Sequence, residues 1–375
     1  MVSLKIVVVT DNPMLYGETM YLGELKKGME ERGTEMDIVI VQAPYWLPFD
    51  GKIPLYRLLR ASFLIDKLHD YDLIHVQFTF PLGFVLALLQ NIHKKPVIIH
   101  THGDDVFVVP SAGIGVRRIA AGRSLAKISW YAASHIIAVC KKAKKEIADE
   151  GIPESKISVL YNGVDENLFR RRKSIKNGKL AEIRENSDLI FLNVANLGRV
   201  KNQDRLLVAF SRLLREDKLY SNTKLIICGT GHLENELRAL AHALDIESNV
   251  MLLGKIPHSM MPELYSIADA FILPSLHEAH PWSLLEAMSC ELPVAASNVG
   301  GIPETLPDKE QLLNPWKTSD IYRAMASLAR DTKRRKYLGS RNRKIILEKF
   351  TFGKHVRNLS SIYDKILLKS KCASP

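Results

Sequence analysis

Short runs of four to seven apolar residues, each followed by a longer segment of mixed polarity, set the rhythm of this chain. The runs fall at 4–10, 36–42, 73–77, 97–101, 134–140, 156–161, 189–195, 225–228, 250–254, 270–275 and 293–297. They are too short and too uniformly apolar for amphipathic helices, and they lack the alternation of a half-wet strand. They therefore read as strands buried on both faces, which is the signature of parallel sheets covered by helices. Helical spacing predicts helices from Thr19 to Arg32, over 55–69, from Gln203 to about Leu214, over Ser283–Ser289 and over Thr351–Lys369. Gly33 is a good stop for the first of these. The last carries Val356, Leu359, Ile362, Tyr363 and Ile366 on one side.

The alternation pauses once. Asn162-Gly163 is a turn signal, and the polar, basic run Arg170–Asn186 reads as a connection. A chain of 375 residues is too long for one ordinary core and suits two α/β domains. The expected division is 1–165, completed by the helix 351–369, and 166–350.

Composition narrows the class. Apolar residues make up 46%, as in a globular protein. Cys140, Cys228, Cys290 and Cys372 have neither metal-ligand nor disulfide spacing, so free thiols in a reducing compartment are expected. The opening Leu4–Thr10 run reads as a strand rather than a signal peptide, and no apolar run reaches the roughly 18 residues of a membrane span. A cytoplasmic protein is the expectation.

The net charge of +11 is unevenly spread. From Ser111 to Lys145 there are eight basic residues and no acid, and a second basic cluster covers Lys333–Lys349. Such patches attract anions. No zinc-finger or RNA-binding aromatic signature accompanies them, so nucleic acid is not expected. Together with the basic, aromatic stretch 55–69, the first patch suggests peripheral contact with an anionic membrane.

The chemistry concentrates in LPSLHEAHPWSLLEAMSCELPVAASNVGGIPE, residues 273–304. Glu278 falls on the loop after a short strand, and Glu286 on the helix that follows. Pro281 is expected as the first helical residue. The amides of Trp282, Ser283 and Leu284 would then point outward at the positive end of the helix, where a phosphate or pyrophosphate binds. Glu286 could accept hydrogen bonds from the vicinal hydroxyls of a ribose, and Glu278 from those of a sugar.

This succession, ending in Gly300-Gly-Ile-Pro-Glu304, resembles the donor-site signature of the retaining glycosyltransferases of family 4, which have the GT-B fold. The resemblance extends over His102-Gly103, Asn162-Gly-Val-Asp165, Lys201 and the strand and loop at Val250–Pro257. It implies two Rossmann-like domains facing each other across a cleft, with the C-terminal helix returning to the first. It further implies retaining transfer of a hexosyl group from a UDP- or GDP-linked donor to a carbohydrate, lipid or small-molecule hydroxyl, with no metal or other cofactor. His102 is similar to the histidine that reaches the donor sugar and its phosphate on domain closure. Gly17 matches one of two usual glycines in the loop after the first strand. Lys201 matches a pyrophosphate-binding lysine. Asn196 stands where the family commonly has an arginine, so Arg199 is the expected substitute. Gly229 lies in a glycine turn near the nucleotide, and Ile256 in the loop that reads the nucleobase. Where the family often has glycine, an aromatic and glycine after the first glutamate, this chain has Ala279, His280 and Pro281, so His280 and Trp282 are expected close to the sugar.

Three alternatives fit the same pattern: a nucleotide-sugar epimerase, a phosphorolytic enzyme on this fold, and a non-catalytic sugar-phosphate-binding module. A nicotinamide dehydrogenase is disfavoured, because no G-x-G-x-x-G turn follows the first strand.

Overall fold

The computed structural model describes residues 4–10, 16–41, 65–109, 113, 115–216 and 222–372. It divides into two compact units, 1–161 with 353–375, and 162–352. The break falls four residues ahead of the expected boundary, for a local reason. Val164 donates its N–H to Phe350 and accepts from Phe352 N–H, while Asn162 bonds His280 through both its backbone and its side chain. The Asn162–Asp165 turn is thereby fastened within the second unit.

In the first unit six strands form one parallel sheet: β1 (Leu4–Thr10), β2 (Thr34–Ile40), β3 (Leu73–Gln77), β4 (Val97–Thr101), β5 (His135–Ala138) and β6 (Ile157–Val159). The spatial order is β2-β1-β3-β4-β5-β6. β3, β4 and β5 are buried along their whole length, as their unbroken apolar character requires. The C-terminal helix Phe352–Cys372 packs into this unit through Val356 against Gly28 and through Tyr363 against His75.

The second unit repeats the plan with β7 (Leu189–Val194), β8 (Thr223–Cys228), β9 (Val250–Gly254), β10 (Ala270–Leu273), β11 (Val294–Ser297) and β12 (Leu312–Leu313), in the order β12-β11-β10-β7-β8-β9. Its core joins Phe191, Leu206, Phe210, Leu225, Ile272 and Met325. The chain runs outward from β7 in one direction and resumes at β10 on its other side. The crevice where ligands bind in such sheets lies at that reversal, beyond the carboxyl ends of the strands. The loops after β7 and β10 are therefore neighbours by topology.

Several expectations change. Gly17 lies in the first turn of the helix Tyr16–Glu30, not in a loop before it; glycine's entropic cost weighs on a helix interior and less on its first turn, so it does not delay the start. Cys140 is not strand but the N-cap of the helix Lys141–Ala148, its Sγ accepting from Ala143 N–H. The strand before the Gly229–Gly231 turn ends at Cys228 as expected but begins two residues early, at Thr223, and β2 begins at Thr34. Of the stretch 55–69, residues 55–64 lie outside the described residues, and Ile65–Leu68 form a short helical turn.

The basic stretch 111–145 is not a bare cationic face. Glu150, nearly buried, binds both Arg117 and Arg123. Lys142 pairs with Glu146, Lys144 with Glu154 and Lys145 with Asp149. The acids begin at residue 146, immediately after the charge run; Glu146 and Asp149 return onto it within one helical turn, and Glu150 reaches Arg117 and Arg123 across the fold. At least five of the eight cations are thus paired in the fold, with four carboxylates between them. In the second cluster Arg334 and Arg341 pair with Glu310 and Asp308.

Candidate active site

The site in the second unit is built by stitching the loop after β7 to the loop after β10. After β7 the chain makes a tight turn at Arg199–Lys201 and then places Asn202 in the left-handed region, at φ 59°. The Asn202 side chain donates to Pro274 O and Pro315 O, both at 2.9 Å, and Leu276 N–H donates to Val200 O at 2.7 Å. These bonds bring Lys201 Nζ to 2.7 Å from Glu278 Oε1, which also accepts from Ser275 Oγ at 2.8 Å. Two residues assigned to the site on separate grounds are therefore one ion pair, and Glu278 is only 8% exposed. Removing one member of so buried a pair leaves the other uncompensated.

The Glu278 backbone is fixed as well. Its carbonyl accepts from Gly301 N–H at 3.2 Å, and Gly300, at φ +55°, lies so close that a Cβ there would come within 1.7 Å of the same oxygen. Gly229 has the same kind of reason for being glycine: a Cβ would meet Ala195 O at 2.0 Å. It lets the loop after β8 lie against the loop after β7.

Pro281 does not open the following helix but caps it. Its ψ of 127° is extended, the helix runs Trp282–Ser289, and the first intrahelical bond is Leu285 N–H to Pro281 O. Trp282, Ser283 and Leu284 thus supply the first-turn amides, and the N-cap Pro281 has no side-chain hydrogen bond to them. The positive helix end remains suited to an anion.

Glu286, one turn in, is held by Tyr265, whose hydroxyl donates to Oε2 at 2.7 Å; His258 Nε2 lies 3.8 Å from Oε1. Burial, and then the neighbouring Glu286 charge, push the Tyr265 pKa well up, so it stays a proton donor. His280 is buried and engaged, its Nδ1 accepting from Asn162 N–H at 3.2 Å and its ring lying on Phe350. Its visible work is anchoring the Asn162 turn. Asn196 and Arg199 are exposed, Gln203 donates to Asn196 O, and Arg199 forms no ion pair among the described residues. Ile256, half-buried, follows β9 and adjoins the buried Cys228, whose thiol burial pushes up to about 11.

In the first unit the loop after β4 is organised by Asp105. Its Oδ1 accepts from His102 N–H and Gly103 N–H, both at 3.1 Å, and its Oδ2 from Thr79 N–H and Oγ1. Trp130 Nε1 holds Thr79 in turn. The Asp105 carboxylate is thus a clamp between two loops; burial raises its pKa against the pull of the four bonds. His102 is half-buried, and its Nε2 bonds Gln77 Oε1. Burial, then the His355 imidazole, lower the His102 pKa to about 3.

Sequence reasoning passed over Ser275, Asn202, Tyr265 and Gln77, and weighed Asp105 only as one of a pair with Asp104 for holding a metal, a reading it set aside. One signal was available: β3, LIHVQ, carries His75 and Gln77 inside a strand that is otherwise apolar and wholly buried, and buried polar groups require partners.

Two parallel six-stranded sheets, each with its polar loops at the carboxyl edge, define the class as a GT-B protein. Solved structures agree. A sucrose-phosphate synthase of Thermosynechococcus elongatus superposes with a TM-score of 0.82 at 17% identity, covering 98% of this chain and all of the other. The Anabaena protein HepE in complex with UDP gives 0.76 at 18%, over 96% of this chain and all of the other.

The chain belongs to the family 4 glycosyltransferases. The Glycosyltransferase Family 4 model matches residues 18–168, and the Glycosyl transferases group 1 model matches residues 178–345. Among relatives, the N-acetyl-α-D-glucosaminyl L-malate synthase of Bacillus anthracis is 26% identical over 97% of both chains. The α-monoglucosyldiacylglycerol synthase of Streptococcus pneumoniae is 25% identical over 82% of this chain and 74% of its own. The protein is a glycosyltransferase.

Proposed function

We propose that the enzyme transfers a hexosyl group from a nucleotide-diphosphate sugar to an acceptor hydroxyl with retention of anomeric configuration. The observation that carries this reading is the Lys201–Glu278 pair at the crevice of the second sheet, on the loop that leads into the helix Trp282–Ser289. Breaking a glycosyl–phosphate bond places negative charge on the diphosphate and positive charge on the ring. A cation and oriented amides stabilise the first charge, and a carboxylate holding sugar hydroxyls fixes the second.

On this reading Lys201 and the amides of Trp282, Ser283 and Leu284 receive the pyrophosphate, with exposed Arg199 free to join them. Glu278 takes the sugar hydroxyls and Glu286, oriented by Tyr265, the ribose. Gly229 and Ile256 line the nucleoside side. HepE, also solved in complex with UDP-glucose, supports a UDP-linked donor by fold likeness, and the relatives above support a lipid or small-molecule acceptor. No metal enters the scheme. The positive charge left on the first unit after internal pairing is reduced, so membrane contact is proposed only as a weak, salt-sensitive association at the cytoplasmic face.

The test is a screen of UDP-, GDP- and ADP-sugars with and without diacylglycerol, glycan and hydroxy-acid acceptors, scored by product analysis. Acceptor-dependent release of nucleoside diphosphate, with a product that keeps the donor's anomeric configuration, is expected. An isomerised sugar nucleotide formed without acceptor, or an inverted product, would overturn the reading.

A further inference from the structure

The amino edge of the first sheet holds a cavity that the transfer chemistry above does not use. It measures about 720 Å³, within the range of about 300–1,000 Å³ usual for small-molecule sites. Its lining comes from the starts of four neighbouring strands: Asp72 before β3, Lys94 and Lys95 before β4, His135 opening β5, and Lys156 before β6. The C-terminal helix adds Lys369. The ligand crevice of such a sheet lies at the other edge, and the five residues of β4 separate the two edges by roughly 16 Å at about 3.3 Å per residue. A ligand seated here therefore occupies a place of its own.

The charge of the cavity is one-sided. Lys94, Lys95, Lys156 and Lys369 form no ion pair among the described residues, and Asp72, the one carboxylate of the lining, already accepts from Lys5 N–H at 2.8 Å. Nearby cations of the same unit do find acids: Lys5 pairs with Glu35, Lys144 with Glu154 and Lys145 with Asp149. Lys156 Nζ meets only a carbonyl, Tyr131 O at 2.5 Å, in the last turn of the helix Ala120–Ala132, where a cation is favoured. The ammonium groups of Lys94, Lys95 and Lys369 have no hydrogen bond among the described residues. His135, 9% exposed, feels the crowding. Its Nε2 bonds Ser158 Oγ at 2.8 Å, and burial, then Lys369, Lys156 and Lys144, lower its pKa to about 4. An anion among these ammonium groups relieves their mutual repulsion, and lysines, as flexible point charges, suit a phosphoryl group held without a fixed fork geometry.

We propose that this cavity is a binding site for a phosphate-bearing ligand, held by Lys94, Lys95, Lys156 and Lys369 at the amino edge of the first sheet. Three of these lysines stand on the connections into β4 and β6 and the fourth on the C-terminal helix, so an occupant ties the end of that helix to the sheet. Two sources supply such a group: a soluble phosphate ester, or the headgroup phosphate of an anionic lipid. The site belongs to the first unit alone and is independent of the donor chemistry assigned to the second.

The test titrates inorganic pyrophosphate into the full-length enzyme carrying ¹³C-labelled histidine, with the His135 signal identified by its loss in His135→Gln. Millimolar pyrophosphate is expected to shift that signal and to move the titration of the ring upward, because neutralising Lys369 and Lys156 removes part of what lowers it. The double variant Lys94→Gln/Lys369→Gln should weaken the response about 10- to 100-fold, and added salt should weaken it in wild type. Lys201→Ala, which acts at the proposed donor site, should leave it unchanged. Vesicles of phosphatidic acid, compared with vesicles of phosphatidylcholine, separate the sources. Co-sedimentation with the former that the double variant loses assigns a lipid headgroup, whereas a pyrophosphate response without such co-sedimentation assigns a soluble ester. A His135 signal indifferent to pyrophosphate, together with vesicle binding that the double variant retains or that is absent throughout, overturns the proposal. So does a response that survives in the double variant or disappears in Lys201→Ala.

Discussion

Gly300→Ala isolates the positioning of Glu278 from its charge. At Gly300 an added Cβ would lie 1.7 Å from the Glu278 carbonyl oxygen, and real Cβ contacts do not fall below 3.0 Å. Some backbone must therefore withdraw by about 1.3 Å, the difference between the two. The hydrogen bond from Gly301 N–H to the same oxygen resists that movement. Displacing a positioned group by about 1 Å can cost about 100-fold in rate, and alanine at positive φ adds about 1 kcal/mol of strain. Gly33→Ala separates the two effects, because Gly33 has φ +80° and nothing within 4 Å of an added Cβ. Steady-state kinetics and thermal denaturation of both variants make the comparison. Gly300→Ala should lose about 100-fold in kcat/KM for the donor, whereas Gly33→Ala should lose only stability. Turnover within twofold of wild type in Gly300→Ala would refute the claim that this contact sets the Glu278 carboxylate.

Other expectations follow from the same groups. His75, His100 and His355 are buried with pKa values below the ordinary 6.5, to about 3 for His75 and about 4 for His355. The unfolded chain therefore binds protons that the fold refuses. Their stabilisation is complete above pH 6.5 and is lost as pH falls toward 3–4, by about 1 kcal/mol per histidine between pH 7.5 and 5.5. Denaturant midpoints across that range measure it, and a flat profile would contradict the burial of neutral rings. Tyr265→Phe releases Glu286 without touching Glu278, so it should raise KM for the donor about 3- to 10-fold with little change in kcat. Glu150→Gln leaves Arg117 and Arg123 without their shared carboxylate; it should lower Tm while strengthening binding to anionic vesicles at low salt, measurable by co-sedimentation.

The fold was legible because parallel strands buried on both faces announce themselves as short apolar runs. The Glu278 and Glu286 region was legible because glycine, proline and carboxylate follow one another at fixed offsets. What escaped depends on contacts between distant segments. Lys201 and Glu278 are 77 residues apart, and only the order of β7 beside β10 makes them a pair. Pro281 reads as a first helical residue, but its ψ is set by the loop that ties His280 to Asn162. The basic run 111–145 looked bare because its counter-charges start at residue 146. Tyr363 belonged to an apolar stripe, and nothing along the helix marks the hydroxyl that meets His75.

The central claim assigns the two members of the Lys201–Glu278 pair to different parts of one ligand, the diphosphate and the sugar. Calorimetric titration of wild type, Lys201→Ala and Glu278→Gln with the preferred nucleoside diphosphate, and then with its sugar-bearing form, tests it directly. Lys201→Ala should weaken both ligands by at least tenfold, whereas Glu278→Gln should weaken only the sugar-bearing one. Equal losses for both ligands in Glu278→Gln, or unchanged affinities in Lys201→Ala, would contradict the account.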